Sequence, residues 1–262
     1  MKRHDRPQQR WLERGQGEAV ILLHGLMGDV VHWDEVLDRL APSCRALAPA
    51  LPIFDPAFTY TSVQALSAHV VGLMDTLGIE RAVIGGNSLG GHVAIRLALA
   101  QPNRVSGLVL TGTSGLLEPS FSRRVSHRPG RELVRERMEE VFYDRRHVTP
   151  GWVDAVCRTL NDPALALRLV RMARAAKRDN VEARLPAIAV PALVVWGAHD
   201  RITPPSVAER LHALLPDSQL TFLPRCGHAP MLEHPAAWAD IVAAWLARTR
   251  PRRYAGTAAA AR

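Results

Sequence analysis

The chain has 262 residues, 47% of them hydrophobic, enough to bury one large core or a core carrying an insertion. Its formal charge of +8, from 33 basic and 25 acidic residues, is accompanied by no helix-turn-helix, zinc-finger or aromatic–basic pattern, which excludes a recognisable nucleic-acid module. No apolar run approaches the roughly 20 residues of a membrane span, and no apolar stretch follows the charged N-terminus, so a cytoplasmic protein is expected.

In chain order, residues 19–23, 45–48, 82–84, 107–110, 192–196 and 219–223 are short apolar runs bounded by Gly, Pro or charge. That pattern predicts strands covered on both faces. Helical patterns alternate with them at 33–40, 63–77, 89–100, 206–215 and 236–247, which predicts a doubly wound, mostly parallel α/β sheet. One interval breaks the alternation. Between Leu110 and Ala192 the predicted elements are helices only, at 131–143, 150–160 and 163–178. The expected organisation is therefore a core of residues 1–111 and 192–247, a helical cap inserted at 112–191, and a basic tail at 248–262. The tail reads as a solvated end, with a polyanion contact as the minor alternative. Cys44, Cys157 and Cys226 are odd in number and far apart, as expected of reduced thiols.

The chemistry-bearing pattern is Gly86-Asn87-Ser88-Leu89-Gly90, between an apolar run and a helical run. This is G-x-S-x-G on a strand-to-helix turn, which projects a serine hydroxyl clear of a sheet. A serine is a poor nucleophile at neutral pH and needs a base oriented by a third group. Asp200, past the 192–196 strand, and His228, in a Gly/Pro-rich loop past 219–223, supply that pair in the order Ser, Asp, His. Asp217 is a decoy in a Pro-Asp-Ser turn; His24 is expected to tie down its own loop, His92 to begin a helix, and His199 and His234 to pack or face solvent. An oxyanion needs fixed donors, and the backbone N–H groups of Leu26 and Leu89 are the candidates. No metal-ligand spacing and no phosphate-cradling glycine loop occurs, so neither a metal nor a cofactor is expected.

These motifs resemble the α/β-hydrolase fold family over about residues 18–247. Within it, Gly86 to His92, Phe142-Tyr143-Asp144 with Thr149, and Cys226-Gly227-His228 resemble the meta-cleavage-product hydrolases, which cleave carbon–carbon bonds of dienoate substrates with a serine triad. Substrate contacts are assigned to Gly25, Asn87 and Arg158, the last near the place of a lid arginine but out of register with it. The chain departs from that subfamily at Leu26-Met27, where a glycine-rich sequence is usual, at Ala229, where a tryptophan is usual, and in an N-terminal hairpin that reads as abbreviated. The expected function is a carboxylesterase-like serine hydrolase acting on a small ester or related carbonyl substrate through an acyl-enzyme. Ser88 at the elbow, where an acid would be needed, argues against haloalkane dehalogenase and epoxide hydrolase chemistry. The alternatives are carbon–carbon hydrolysis of a dienoate and a non-catalytic ligand receptor. The expected partner is a small-molecule substrate, with no specific nucleic acid and no membrane; a homodimer stays open.

Overall fold

The structure, a computed structural model, describes residues 2–6, 9–59, 61–116 and 129–249, without the side chains of 2–6 and 9. Their strands are β1 (Lys2–Arg6), β2 (Gln9–Arg14), β3 (Ala19–Leu23), β4 (Arg45–Pro49), β5 (Ala82–Asn87), β6 (Val105–Thr111), β7 (Ala192–Gly197) and β8 (Ser218–Leu223). They form one sheet in the order β1-β2-β4-β3-β5-β6-β7-β8. The pairings from β4 through to β8 are parallel, and β2 joins β1 and β4 antiparallel. The mostly parallel doubly wound sheet is therefore as expected, whereas the N-terminal hairpin is present as a pair of strands. Its sequence conceals it because an antiparallel edge ribbon can face water on one side. Trp11 and Leu12 are its two buried hydrophobic residues among those whose side chains are described.

The apolar runs are continuous because the central strands are covered twice: every residue of β3, β5 and β7 is buried. Successive side chains of a strand point to opposite faces. Ile21, Leu23, Leu108, Leu110, Val194 and Trp196 accordingly join the cluster beneath α2 (Val63–Thr76), α3 (Leu89–Ala100) and α7 (Pro205–Leu214). Val20, Leu22, Val109, Leu193 and Val195 join the opposite cluster, beneath α1 (Asp34–Leu40) and α9 (Pro235–Thr249), where Trp33 and Trp238 lie 5.3 Å apart. Each fully buried aliphatic side chain stabilises the fold by roughly 1.5–3 kcal/mol.

Between β6 and β7 the described residues contain three α-helices and no strand: α4 (Arg131–Glu139), α5 (Pro150–Asn161) and α6 (Pro163–Arg178). Thr149 caps α5 through the Trp152 N–H, and Asp162 caps α6 through the N–H groups of Ala164 and Leu165, each just ahead of a proline at the first helical position. These signals made both starts readable. α4, expected to run to residue 143, ends at Glu139: the N–H groups of Val141 and Phe142 close tighter turns onto Met138 and Glu139, and those of Tyr143 and Asp144 donate to Glu233 instead of continuing the helix. The insertion has a small core of its own around Val134, Met138 and Val153, while Met172 of α6 reaches the main core. Arg168 of α6 donates to the carbonyls of Phe58 and Pro56, both at 3.1 Å, fastening that helix to the loop after β4. Residues 117–128 of the insertion and 250–262 of the tail lie outside the described residues. No helix among the described residues is long and apolar enough to cross a membrane, and the three cysteines are free.

Candidate active site

Ser88 stands between β5 and α3 with φ 55° and ψ −117°, a conformation L-residues avoid at a cost of about 1–3 kcal/mol. The surroundings over-determine it. Its N–H donates to the Thr111 carbonyl (3.0 Å), and its own carbonyl accepts from His92 (3.1 Å) and Ser114 (3.2 Å). The flanking glycines let strand and helix approach: a Cβ on Gly86 would meet the Gly90 carbonyl carbon at 2.4 Å, and one on Gly90 would meet the Leu23 oxygen at 2.1 Å. Ser88 remains partly exposed in a buried surrounding.

Asp200 lies just past β7 and is 4% exposed. Its Oδ1 accepts from the N–H groups of Ile202 (2.8 Å) and Thr203 (2.9 Å), and its Oδ2 from the Thr203 hydroxyl (2.9 Å). The same Oδ2 is 2.9 Å from Nδ1 of His228. The carboxylate can only accept, so Nδ1 carries a proton, and in the neutral imidazole Nε2 then holds the lone pair that a general base requires. Trp196, in β7, holds the acid's loop by donating to the Thr203 carbonyl at 2.9 Å.

The imidazole is pinned through its own backbone. The His228 N–H donates to the Val141 carbonyl (2.7 Å), and the His228 carbonyl accepts from Nδ2 of Asn87 (2.8 Å). Gly112, at φ 53°, forms the adjoining wall: a Cβ there would lie 2.8 Å from Nδ1 of His228. Asn87, assigned to substrate from the sequence, has a bracing role as well. Its amide is 5% exposed and donates to the carbonyls of Thr111 (3.3 Å) and His228, so it braces the elbow against the histidine loop. Arg158, also assigned to substrate from the sequence, is an exposed residue of α5.

The loop after β3 abuts the serine. A Cβ on Gly25 would lie 3.4 Å from the Ser88 Cβ. This turn closes through Gly28 N–H to the Gly25 carbonyl (3.0 Å), and Nδ1 of His24 donates to that carbonyl at 2.8 Å. His24 Nε2 accepts the Leu51 N–H (2.9 Å), and burial pushes its pKa down to about 4, keeping the ring neutral. Leu26 follows in the turn, and among the described residues its N–H donates to no backbone carbonyl. Leu89 opens α3, where a first-turn N–H has no partner within its helix.

Two nearby groups are excluded as rivals. Burial foremost pushes the Cys226 thiol upward, with Glu233 and Asp200 adding to the effect, so it is no nucleophile. His92 is 0% exposed and burial pushes its pKa to about 4; its Nε2 is 3.5 Å from Asp179 Oδ2, and neither ring nitrogen has a hydrogen bond. Asp179 is held instead by Arg96, whose Nε donates at 2.7 Å and whose Nη2 makes a second bond. Among the described residues no group of three or more His, Cys, Asp or Glu could hold a metal ion. Sequence reasoning missed Thr203 and Gly112. Asp-x-x-Thr at 200–203 is a local side-chain-to-backbone spacing that could have drawn attention to the first; nothing local marks the second.

The model of the alpha/beta hydrolase family matches residues 20–241. A 2-hydroxy-6-oxononadienedioate/2-hydroxy-6-oxononatrienedioate hydrolase of Cupriavidus pinatubonensis is 32% identical over 264 residues, covering 87% of this chain and 86% of that protein. The solved meta-cleavage product hydrolase from Pseudomonas fluorescens superposes with a TM-score of 0.79 at 25% identity, covering 92% of this chain and 94% of its own. A thermophilic esterase from Thermogutta terrifontis superposes with a TM-score of 0.78 at 25% identity, covering 96% and 100%. With a sheet of this order, a strained serine between β5 and α3, and an Asp–His pair past the last two strands, the chain belongs to the alpha/beta hydrolase family.

Proposed function

We propose that the chain is a carboxylesterase-like serine hydrolase that opens a small ester or related carbonyl substrate through an acyl-enzyme, without a cofactor. The observation that carries this reading is the 2.9 Å bond between Asp200 and Nδ1 of His228, on a loop that Asn87 ties to the serine elbow. In the proposed reaction His228 Nε2 takes the Ser88 proton as Oγ attacks the carbonyl carbon. Asp200 stabilises the imidazolium, and the N–H groups of Leu26 and Leu89 receive the oxyanion; one such donor is worth roughly 10²–10³ in rate. His228 then returns the proton to the leaving group, and water repeats the sequence on the acyl-enzyme. The helical insertion serves as the cap, and Gly25 lines the site beside the nucleophile.

The second reading is carbon–carbon hydrolysis of a dienoate, favoured by the names of several relatives. A dienoate carries a carboxylate that wants a cation, and the cation assigned to it, Arg158, is exposed on α5; the ester reading is therefore placed first. Labelling by a fluorophosphonate probe tests the common core of both. Wild type should label, and Ser88→Ala should not, with turnover lower by on the order of 10⁴-fold or more. An unlabelled wild type favours a receptor. Comparison of p-nitrophenyl acyl esters with a ring-fission dienoate then separates the two enzymes; clearly better dienoate turnover makes carbon–carbon cleavage the activity.

A further inference from the structure

Glu233 lies outside the triad, five residues past His228, at the end of the single turn α8 (Pro230–Glu233). Its carboxylate is the acceptor for three backbone N–H groups from two separate parts of the chain. Oε1 accepts from Gly227 at 2.6 Å, and Oε2 accepts from Tyr143 at 2.8 Å and Asp144 at 3.0 Å. Gly227 directly precedes the histidine, while Tyr143 and Asp144 belong to the helical insertion, between α4 and α5. The two segments also touch without it: the His228 N–H donates to the Val141 carbonyl at 2.7 Å, and a Cβ on Gly227 would meet that oxygen at 2.5 Å. The peptide carrying His228 is thus held at Gly227 N by Glu233, at its own N by Val141, and at its own O by Asn87.

A carboxylate suits this place for a chemical reason. It offers two acceptor oxygens and no donor, whereas an amide of the same shape offers one acceptor and turns an NH₂ toward the other N–H groups. We propose that Glu233 is a positioning residue for the hydrolytic reaction, locking the Gly227–His228 peptide to the 141–144 segment of the insertion so that the imidazole is aligned when the insertion is seated. The inference rests on His228 being the base, as in the proposed function. A misplacement of about 1 Å at a reacting group costs on the order of 10²-fold in rate, and Glu233→Gln turns one carboxylate contact into a repulsion.

The test compares wild type with Glu233→Gln. Fluorophosphonate labelling and ester kcat should fall about 10- to 100-fold while KM stays within about threefold. The downfield proton resonance of His228 Nδ1–H should shift or broaden. Labelling per folded site within about twofold of wild type, with an unchanged resonance, overturns the inference, even if the variant melts earlier. A second measurement needs no variant. In wild type, amide exchange at Gly227, Tyr143 and Asp144 should gain protection together when the phosphonate occupies Ser88; protection at Gly227 alone overturns the coupling. A wild type that does not label sinks the triad reading and this inference with it, whereas a labelled wild type with an unaffected variant sinks the inference alone.

Discussion

Acid should weaken this fold through His24 in a calculable way. The ring is buried with both nitrogens engaged, and Nε2 must stay unprotonated to accept the Leu51 N–H. Burial depresses its pKa from the ordinary 6.5 to about 4. Between those values the unfolded chain binds a proton that the folded chain refuses. His24's contribution is therefore fully present above pH 6.5, declines as pH falls, and is gone once pH passes below about 4. The gap of about 2.5 pH units at ~1.4 kcal/mol each is worth about 3 kcal/mol. His92, depressed over the same window, adds an effect of the same sign. The perturbation that isolates His24 is His24→Gln, whose Oε1 can take the acceptor place of Nε2 without titrating. Urea unfolding at pH 7 and at pH 4 should show wild type losing about 3 kcal/mol more than the variant, which cancels the carboxylates titrating in both. A difference below about 0.5 kcal/mol would refute the reasoning.

Gly112→Ala places a Cβ 2.8 Å from His228 Nδ1 at a backbone of φ 53°. Turnover should fall on the order of 10²-fold with a loss of about 1–2 kcal/mol in stability, read by steady-state kinetics and thermal melting; wild-type kcat in a folded variant would contradict the packing described. Thr203→Val removes one of four donors to Asp200 and nearly conserves shape. It should lower kcat about tenfold with KM unchanged, the equivalent of one net hydrogen bond of about 1.4 kcal/mol; an unchanged kcat would show that the hydroxyl does not support the acid.

Much of the site's composition was legible because it lies at ends of buried strands. β5, β7 and β8 could be read in the sequence, and Ser88, Asp200 and His228 follow them in the next loops. The bracing role of Asn87 escaped the sequence because one of its bonds runs to His228, 141 residues away. Glu233 was invisible as a brace for the same reason: its partners Tyr143 and Asp144 lie 90 and 89 residues upstream. The charged N-terminal hairpin escaped because two buried side chains leave almost no periodic signal.

The sequence by itself determined the alternation of strands and helices, the serine elbow and the order of the three groups at later strand ends. Those are set by short-range regularities: burial on two faces, the closeness that Gly86 and Gly90 permit, and proline or acid at helix starts. Which side chains brace the histidine, why α4 stops at Glu139, and how Gly112 and Thr203 wall and support the Asp–His pair were decided by tertiary structure alone. Hydrogen bonds between loops depend on where the sheet brings those loops, and residues far apart in sequence carry no local pattern that records the meeting.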